Sequence, residues 1–219
     1  MMRLSLLQPR IIRDEIEHNL KVVQRLIDES KGDVLVLPEY VLTDSLVLDL
    51  EADVHNWVLR SADAKARINV PKGKYLLINT LAEIDGKLRN CCELMPVGDF
   101  QFKLFPDKHE LEAGILPGTE QKIFELFDKR FKVVICSDLR QMDKIPTNCL
   151  DFLIFVYHFT DSNFSRVISE VKNVSKARRL PVLASSLVSD KNNGFSSFVN
   201  GNVVVSLPRQ EGILEVEIE

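Results

Sequence analysis

The sequence predicts an α/β sandwich, a mixed sheet layered with helices. Three observations carry that expectation. Helix-like and strand-like segments interleave in the early part of the chain. Adjacent strands joined by short turns follow, which is an antiparallel pattern. No GxGxxG motif lies between a strand and a helix, which sets a dinucleotide-binding fold aside. No repeat, low-complexity segment or linker interrupts the pattern, and 219 residues fit one domain, 1–219.

The elements follow in order. MRLSLLQ (2–8) alternates apolar and polar residues and reads as a strand. Over 13–30, Ile16, Leu20, Val23 and Ile27 recur near a 3.6-residue period with charges opposite, so an amphipathic helix is expected, with Gly32 punctuating its end. Val34, Leu35, Val36 and Leu37 form a buried strand that Pro38 stops. Residues 44–66 carry a weaker helical pattern around Trp57. Over 74–95, apolar runs flank the turn IDGK and predict a hairpin. FQFKLF (100–105) is expected to be a strand, and KIFELF (122–127) and FKVVIC (131–136) to pair across DKR. DFLIFVY (151–157) reads as a buried strand, 163–179 as a helix, 180–188 as a strand, and the remainder as hairpins.

Composition narrows the function classes. Apolar content of 45%, charged content of 27% and a net charge of −4 are ordinary for a soluble globular protein. Lys and Arg are scattered, and the short basic run KARR (176–179) sits in a helical pattern, so no nucleic-acid surface is expected. No apolar run reaches the roughly 18 residues of a membrane span, and the first residues are too charged for a signal peptide. A cytoplasmic location follows as an expectation. The cysteines Cys91, Cys92, Cys136 and Cys149 fit neither a disulfide framework nor a zinc site, and each reads as a free thiol.

Three segments offer chemistry. In DVLVLPEY (33–40) a buried strand ends by presenting Glu39. In VVICSDLR (133–140) a second apolar strand leads into Cys136 as the chain turns polar. In FQFKLFPDKHE (100–110) Lys103 stands among phenylalanines, and Glu110 lies seven residues on, past Pro106. Each has an ordinary reading alone: a loop carboxylate, a buried structural thiol, an edge-strand lysine and a solvated charge. Together they form a nucleophilic set, in which a carboxylate moves a thiol proton and a lysine stabilises developing negative charge. None of His18, His55, His109 and His158 has an evident place beside Cys136, so a Cys–His pair is the weaker arrangement.

These segments resemble the nitrilase superfamily, the carbon–nitrogen hydrolases. LVLPEY resembles its strand-Pro-Glu segment, FQFKLFPDKHELEAGILPG its lysine segment, and FKVVICSDLR its nucleophile segment, in the family's order. IDGKLRN and the closing EGILEVEIE also match, and the likeness covers nearly the whole chain. The resemblance implies a single carbon–nitrogen hydrolase domain, a four-layer α-β-β-α sandwich and a homodimer. It implies Glu39 as general base, Cys136 as nucleophile and Lys103 as oxyanion stabiliser, with Lys108 competing for the lysine role. Glu110 would position substrate and lysine, Ser137 would supply a backbone N–H, and His158 or Phe159 would line the pocket. A small amide, with a nitrile as the second choice, would be cleaved through a thioester, with no metal or organic cofactor. Acyl transfer to an amine and a non-catalytic scaffold are the alternatives. Two departures stand out: Lys132 replaces a usual glycine and Ser137 a usual aromatic.

Overall fold

Alternating apolar side chains give each central strand two buried faces, and that alternation stacks the chain into four layers. The structure, a computed structural model, describes residues 1–45, 53–159 and 163–219. The first sheet contains β1 (Met2–Gln8), β2 (Val34–Val36), β3 (Tyr75–Ile84), β4 (Lys87–Met95), β5 (Asp99–Phe102) and β14 (Gly212–Ile218), ordered β14-β1-β2-β3-β4-β5. The second contains β6 (Phe124–Leu126), β7 (Lys129–Ile135), β8 (Phe152–Val156), β9 (Val182–Ser185), β12 (Ser197–Asn200) and β13 (Val203–Ser206), ordered β13-β12-β9-β8-β7-β6. A small ladder pairs β10 (Val188–Ser189) with β11 (Asn192–Asn193).

Between the sheets, Met2, Leu4, Leu6, Val34 and Val36 meet Phe131, Val133, Ile135, Phe152 and Ile154. On the outer face of the first sheet, Leu7, Leu35 and Leu37 pack under α1 (Ile16–Glu29) and α2 (Val54–Ala66). On the outer face of the second, Val134, Leu153 and Phe155 pack under α4 (Phe164–Arg178) and a 3-10 segment, Cys136–Lys144. The result is the expected α-β-β-α sandwich. Among the described residues no helix is long and apolar enough to cross a membrane.

Strand direction brings functional groups to one rim. β1, β2 and β3 run parallel, as do β7, β8 and β9, with antiparallel strands flanking each set. Two antiparallel steps, β3 to β4 and β4 to β5, leave β5 running with β2. The chain therefore leaves β2, β5, β7 and β8 at strand C-terminal ends, where ligands collect in α/β sheets.

Several boundaries differ from the sequence reading. The strand expected over 100–105 ends at Phe102, because the amides of Leu104 and Phe105 donate to the Asp138 carboxylate instead of extending the ladder. The helix expected over 44–66 begins at Val54 behind Asp53, whose side chain accepts from the Asn56 amide; residues 46–52 lie outside the described residues. Asp85 and Gly86 form the expected hairpin turn with φ of 53° and 67°. The next hairpin turns at Phe127 and Asp128 rather than across DKR. The strand expected over 180–188 is split into β9 and the start of β10. In the last segment β10 and β11 form a small hairpin and β12 and β13 another, whereas β14 crosses to the first sheet and pairs with β1.

Candidate active site

Two strand ends of the first sheet supply the acid and the lysine. Pro38 ends β2, and Glu39 turns inward and is 1% exposed. Lys103, one residue past β5, is also 1% exposed, which removes the edge-lysine reading for this side chain. Its Nζ lies 2.9 Å from Glu39 Oε1 and 2.7 Å from Glu110 Oε2. Lys108, by contrast, has a side chain 83% exposed and pairs only along its own helix with Glu112 at 3.6 Å. The geometry brings Lys103, not Lys108, to the two glutamates.

Glu110 is held by its own short helix, α3 (Lys108–Glu112). Asp107 accepts from the Glu110 amide, and the Glu110 side chain accepts from the Asp107 amide, a capping box. Its other oxygen accepts from Tyr40 Oη at 2.6 Å and from Asn90 Nδ2 at 2.8 Å. Asn90 also donates to Glu39 Oε1 at 2.9 Å, and its own oxygen accepts from Asn79 Nδ2 at 2.7 Å. Asn79 in turn accepts from the Tyr40 amide at 3.0 Å. This web on β3 and β4 fixes both carboxylates before any ligand arrives.

Cys136 arrives from the second sheet. It follows β7 with φ of 44°, a left-handed conformation that a non-glycine residue rarely holds and that turns the sulfur out of the strand line. Its thiol lies 3.4 Å from the His158 carbonyl oxygen. The His158 amide, just past β8, donates to Glu39 Oε2 at 3.0 Å. One backbone residue thus touches both the acid and the thiol. The His158 ring points away to pair with Asp44 through Nε2, so it joins the site by its main chain.

The charges follow from burial and neighbours. Burial pushes the Cys136 thiol well above the ordinary range, and the Glu39 carboxylate adds to the effect while Lys103 opposes it. At rest the sulfur is a neutral thiol. Burial disfavours the Lys103 ammonium, but the Glu39 and Glu110 carboxylates outweigh it and hold its pKa well above the ordinary lysine value. Burial likewise opposes the Glu110 charge, and Lys103 overcomes it, leaving that carboxyl below its ordinary value. Asp138, buried behind Cys136, is pushed up to about 6 by burial despite the amides of Leu104 and Phe105.

Ser137 is buried and donates through Oγ to the Phe105 carbonyl at 2.6 Å, so it ties the cysteine turn to the lysine loop. Phe159 is buried in a stack with Tyr157, their centroids 5.2 Å apart. Two adjoining cavities, each about 550 Å³, meet at Cys136 and share His158 and Phe159. One is lined by Glu39, Tyr40, Lys103 and Glu110. The other has Phe155 and Tyr157 on its floor and Arg140, Arg166 and Glu170 on its wall. Among the described residues no group of three or more His, Cys, Asp and Glu side chains is arranged to hold a metal ion.

Sequence reading missed Asn90, Asn79, Tyr40, Asp138 and Asp44. Asn90 closes the hairpin segment IDGKLRN and Asp138 stands two residues after the cysteine, so both carried a positional signal. Tyr40, Asn79 and Asp44 had none, since their partners, Glu110, the Tyr40 amide and His158 respectively, lie far along the chain.

No family model and no curated protein matches the sequence. Solved structures do match by shape. A mutant of the amidase from Nesterenkonia sp. AN1, showing Michael addition of acrylamide at its active-site cysteine, has a TM-score of 0.86 at 15% identity, covering 100% of this chain and 94% of that one. The chain has the carbon–nitrogen hydrolase fold. XC1258 from Xanthomonas campestris, a CN-hydrolase superfamily protein with an arsenic adduct in its active site, shares this fold with a TM-score of 0.77 at 17% identity, covering 100% and 90%. Glutamine-dependent NAD+ synthetase from Acinetobacter baumannii shares it with a TM-score of 0.79 at 17% identity; 98% of this chain aligns with 45% of that longer one.

Proposed function

We propose that this chain is a carbon–nitrogen hydrolase that cleaves a small, non-peptide amide through a thioester on Cys136. The observation that carries the reading is the buried Lys103 ammonium bridging Glu39 and Glu110 beside the thiol. A lone structural lysine needs one partner; here two carboxylates fix a cation next to the nucleophile.

Each step has a residue. Glu39 takes the thiol proton as sulfur attacks the carbonyl carbon and the C=O electron pair moves to oxygen. Lys103 has three N–H groups, of which the glutamates take two, leaving one for the oxyanion; the Ser137 amide is the second donor in this reading. Collapse re-forms the carbonyl and breaks the C–N bond, and the leaving nitrogen takes the proton held by Glu39. Water deprotonated by Glu39 then attacks the thioester and releases the acid and the thiol. Loss of one such oxyanion donor costs about 2.7–4 kcal/mol of barrier. Glu110 serves by holding Lys103. The aromatic floor and the wall with Arg140 and Arg166 suit an acyl group of a few carbons with a polar end. We place the protein in the cytoplasm as a one-domain chain that forms homodimers.

A panel of small aliphatic amides and nitriles, read by ammonia release, tests the function. Turnover of an amide that falls at least about a hundredfold in Glu39→Gln and in Cys136→Ala supports it. No turnover across the panel, or turnover unchanged in either variant, overturns it. Added hydroxylamine that diverts product to the hydroxamate would show the thioester can pass its acyl group to an amine.

A further inference from the structure

The strand before the nucleophile buries a second lysine that the proposed chemistry does not use. Lys132 lies on the outer face of the second sheet, opposite Leu153, and is 4% exposed. Its Nζ donates to the Pro146 carbonyl at 2.5 Å, and among the described residues it has no carboxylate partner. An ammonium carries three N–H groups. Burying that charge against one neutral carbonyl is costly, and buried charges are ordinarily paired.

The lysine opens on a cavity of about 750 Å³ lined by Phe105, Glu120, Gln121, Lys132, Lys144 and Pro146. Lys144 stands at its mouth, exposed, with Nζ 5.2 Å from the Phe105 ring centroid. Glu120, the acidic residue lining the groove, is exposed. Two lysines, one buried and one exposed, therefore line the same open groove.

We propose that this cavity binds a small oxyanion, a phosphate or a carboxylate, between Lys132 and Lys144. A compact ammonium is a point-charge ligand for such groups, and charge-assisted hydrogen bonds would satisfy the two N–H groups that Pro146 leaves. Burial pushes the Lys132 pKa down. The site is separate from the cavities at the thiol and is linked to them through the backbone of Phe105. Phe105 lines this cavity while its carbonyl accepts from Ser137 and its amide donates to Asp138. An anion bound here would brace the loop that follows Lys103.

Thermal unfolding of the full chain at constant ionic strength tests the site, with phosphate or acetate replacing chloride. The expected result is a rise in Tm that grows with the logarithm of anion concentration above the dissociation constant, on the order of 3 °C at tenfold that constant. The rise is absent in Lys132→Met and needs several-fold more anion in Lys144→Met. A logarithmic rise with either anion that Lys132→Met abolishes supports the site, and the arm that responds identifies the ligand class. A flat response to both, or a rise that Lys132→Met retains, overturns it. If Lys132→Met does not fold, amide NMR of the wild type during a phosphate and an acetate titration decides. Shifts at Phe105, Gln121 and Lys144 saturating together support the site, and their absence with both anions overturns it.

Discussion

At the scale of single residues, Cys136 differs from a thiol kept ionised at rest. Its burial and the neighbouring Glu39 carboxylate both favour the protonated form. Activation is therefore expected during attack, by transfer to Glu39, rather than beforehand. Alkylation of Cys136 by iodoacetamide should rise about tenfold per pH unit up to at least about pH 9, because only the thiolate reacts. A plateau at or below about pH 7, followed by peptide mass mapping, would contradict this. Mapping is needed because Cys149 is exposed and open to the same reagent. Glu39, Lys103 and Cys136 were legible in the sequence because Glu39 and Cys136 each follow an apolar strand and Lys103 stands among phenylalanines. Tyr40 was not, because what recruits it is Glu110, seventy positions away, across a 2.6 Å hydrogen bond.

At the scale of elements, two loops are clamped to each other. Asp138, two residues past the nucleophile, accepts from the Leu104 and Phe105 amides, directly after Lys103. Its folded-state pKa of about 6 exceeds the ordinary 3.8 because burial outweighs those amides. The folded chain therefore binds this proton more tightly than the unfolded chain. The contribution of Asp138 to stability is most favourable below about pH 4 and declines as pH rises to about 6, beyond which it is constant. A 13C titration of the Asp138 carboxyl should show a midpoint near 6, and one near 4 would contradict the burial argument. The lysine loop has a second tether. The Gly118 amide donates to the Lys103 carbonyl at 2.7 Å, and a Cβ at Gly118 would lie 2.9 Å from Phe102 Cβ and 3.0 Å from the Phe102 carbonyl oxygen. Gly118→Ala should displace the end of β5 and cut the proposed amide turnover at least about tenfold while circular dichroism shows a folded chain. Turnover equal to wild type would contradict that tether. The end of β5 was misread from sequence for the same reason: Phe100 and Phe102 fit strand alternation, and the amides that leave it are claimed by Asp138 from another sheet.

At the scale of the whole molecule, the site exists only where two sheets meet. Glu39, Lys103 and Glu110 belong to the first sheet and its loops, Cys136 and His158 to the second, and the apolar layer between the sheets sets their separation. Phe152 is fully buried in that layer, its ring 5.1 Å from Phe131. Phe152→Ala should cost about 3–5 kcal/mol, measured by urea unfolding; a loss below about 1 kcal/mol would contradict the packing role. The layered architecture was readable because strand alternation and helix periodicity are local patterns. The return of β14 to β1 was not, since their partners, such as Leu4 and Val216, lie at opposite ends of the chain. Intact-mass spectrometry of the protein quenched during incubation with small amide and ester acyl donors tests the central claim most directly. The account predicts one acyl adduct, mapped to Cys136 and lost in folded Glu39→Gln. No adduct at Cys136 from any donor, or one that persists undiminished in that variant, would contradict it.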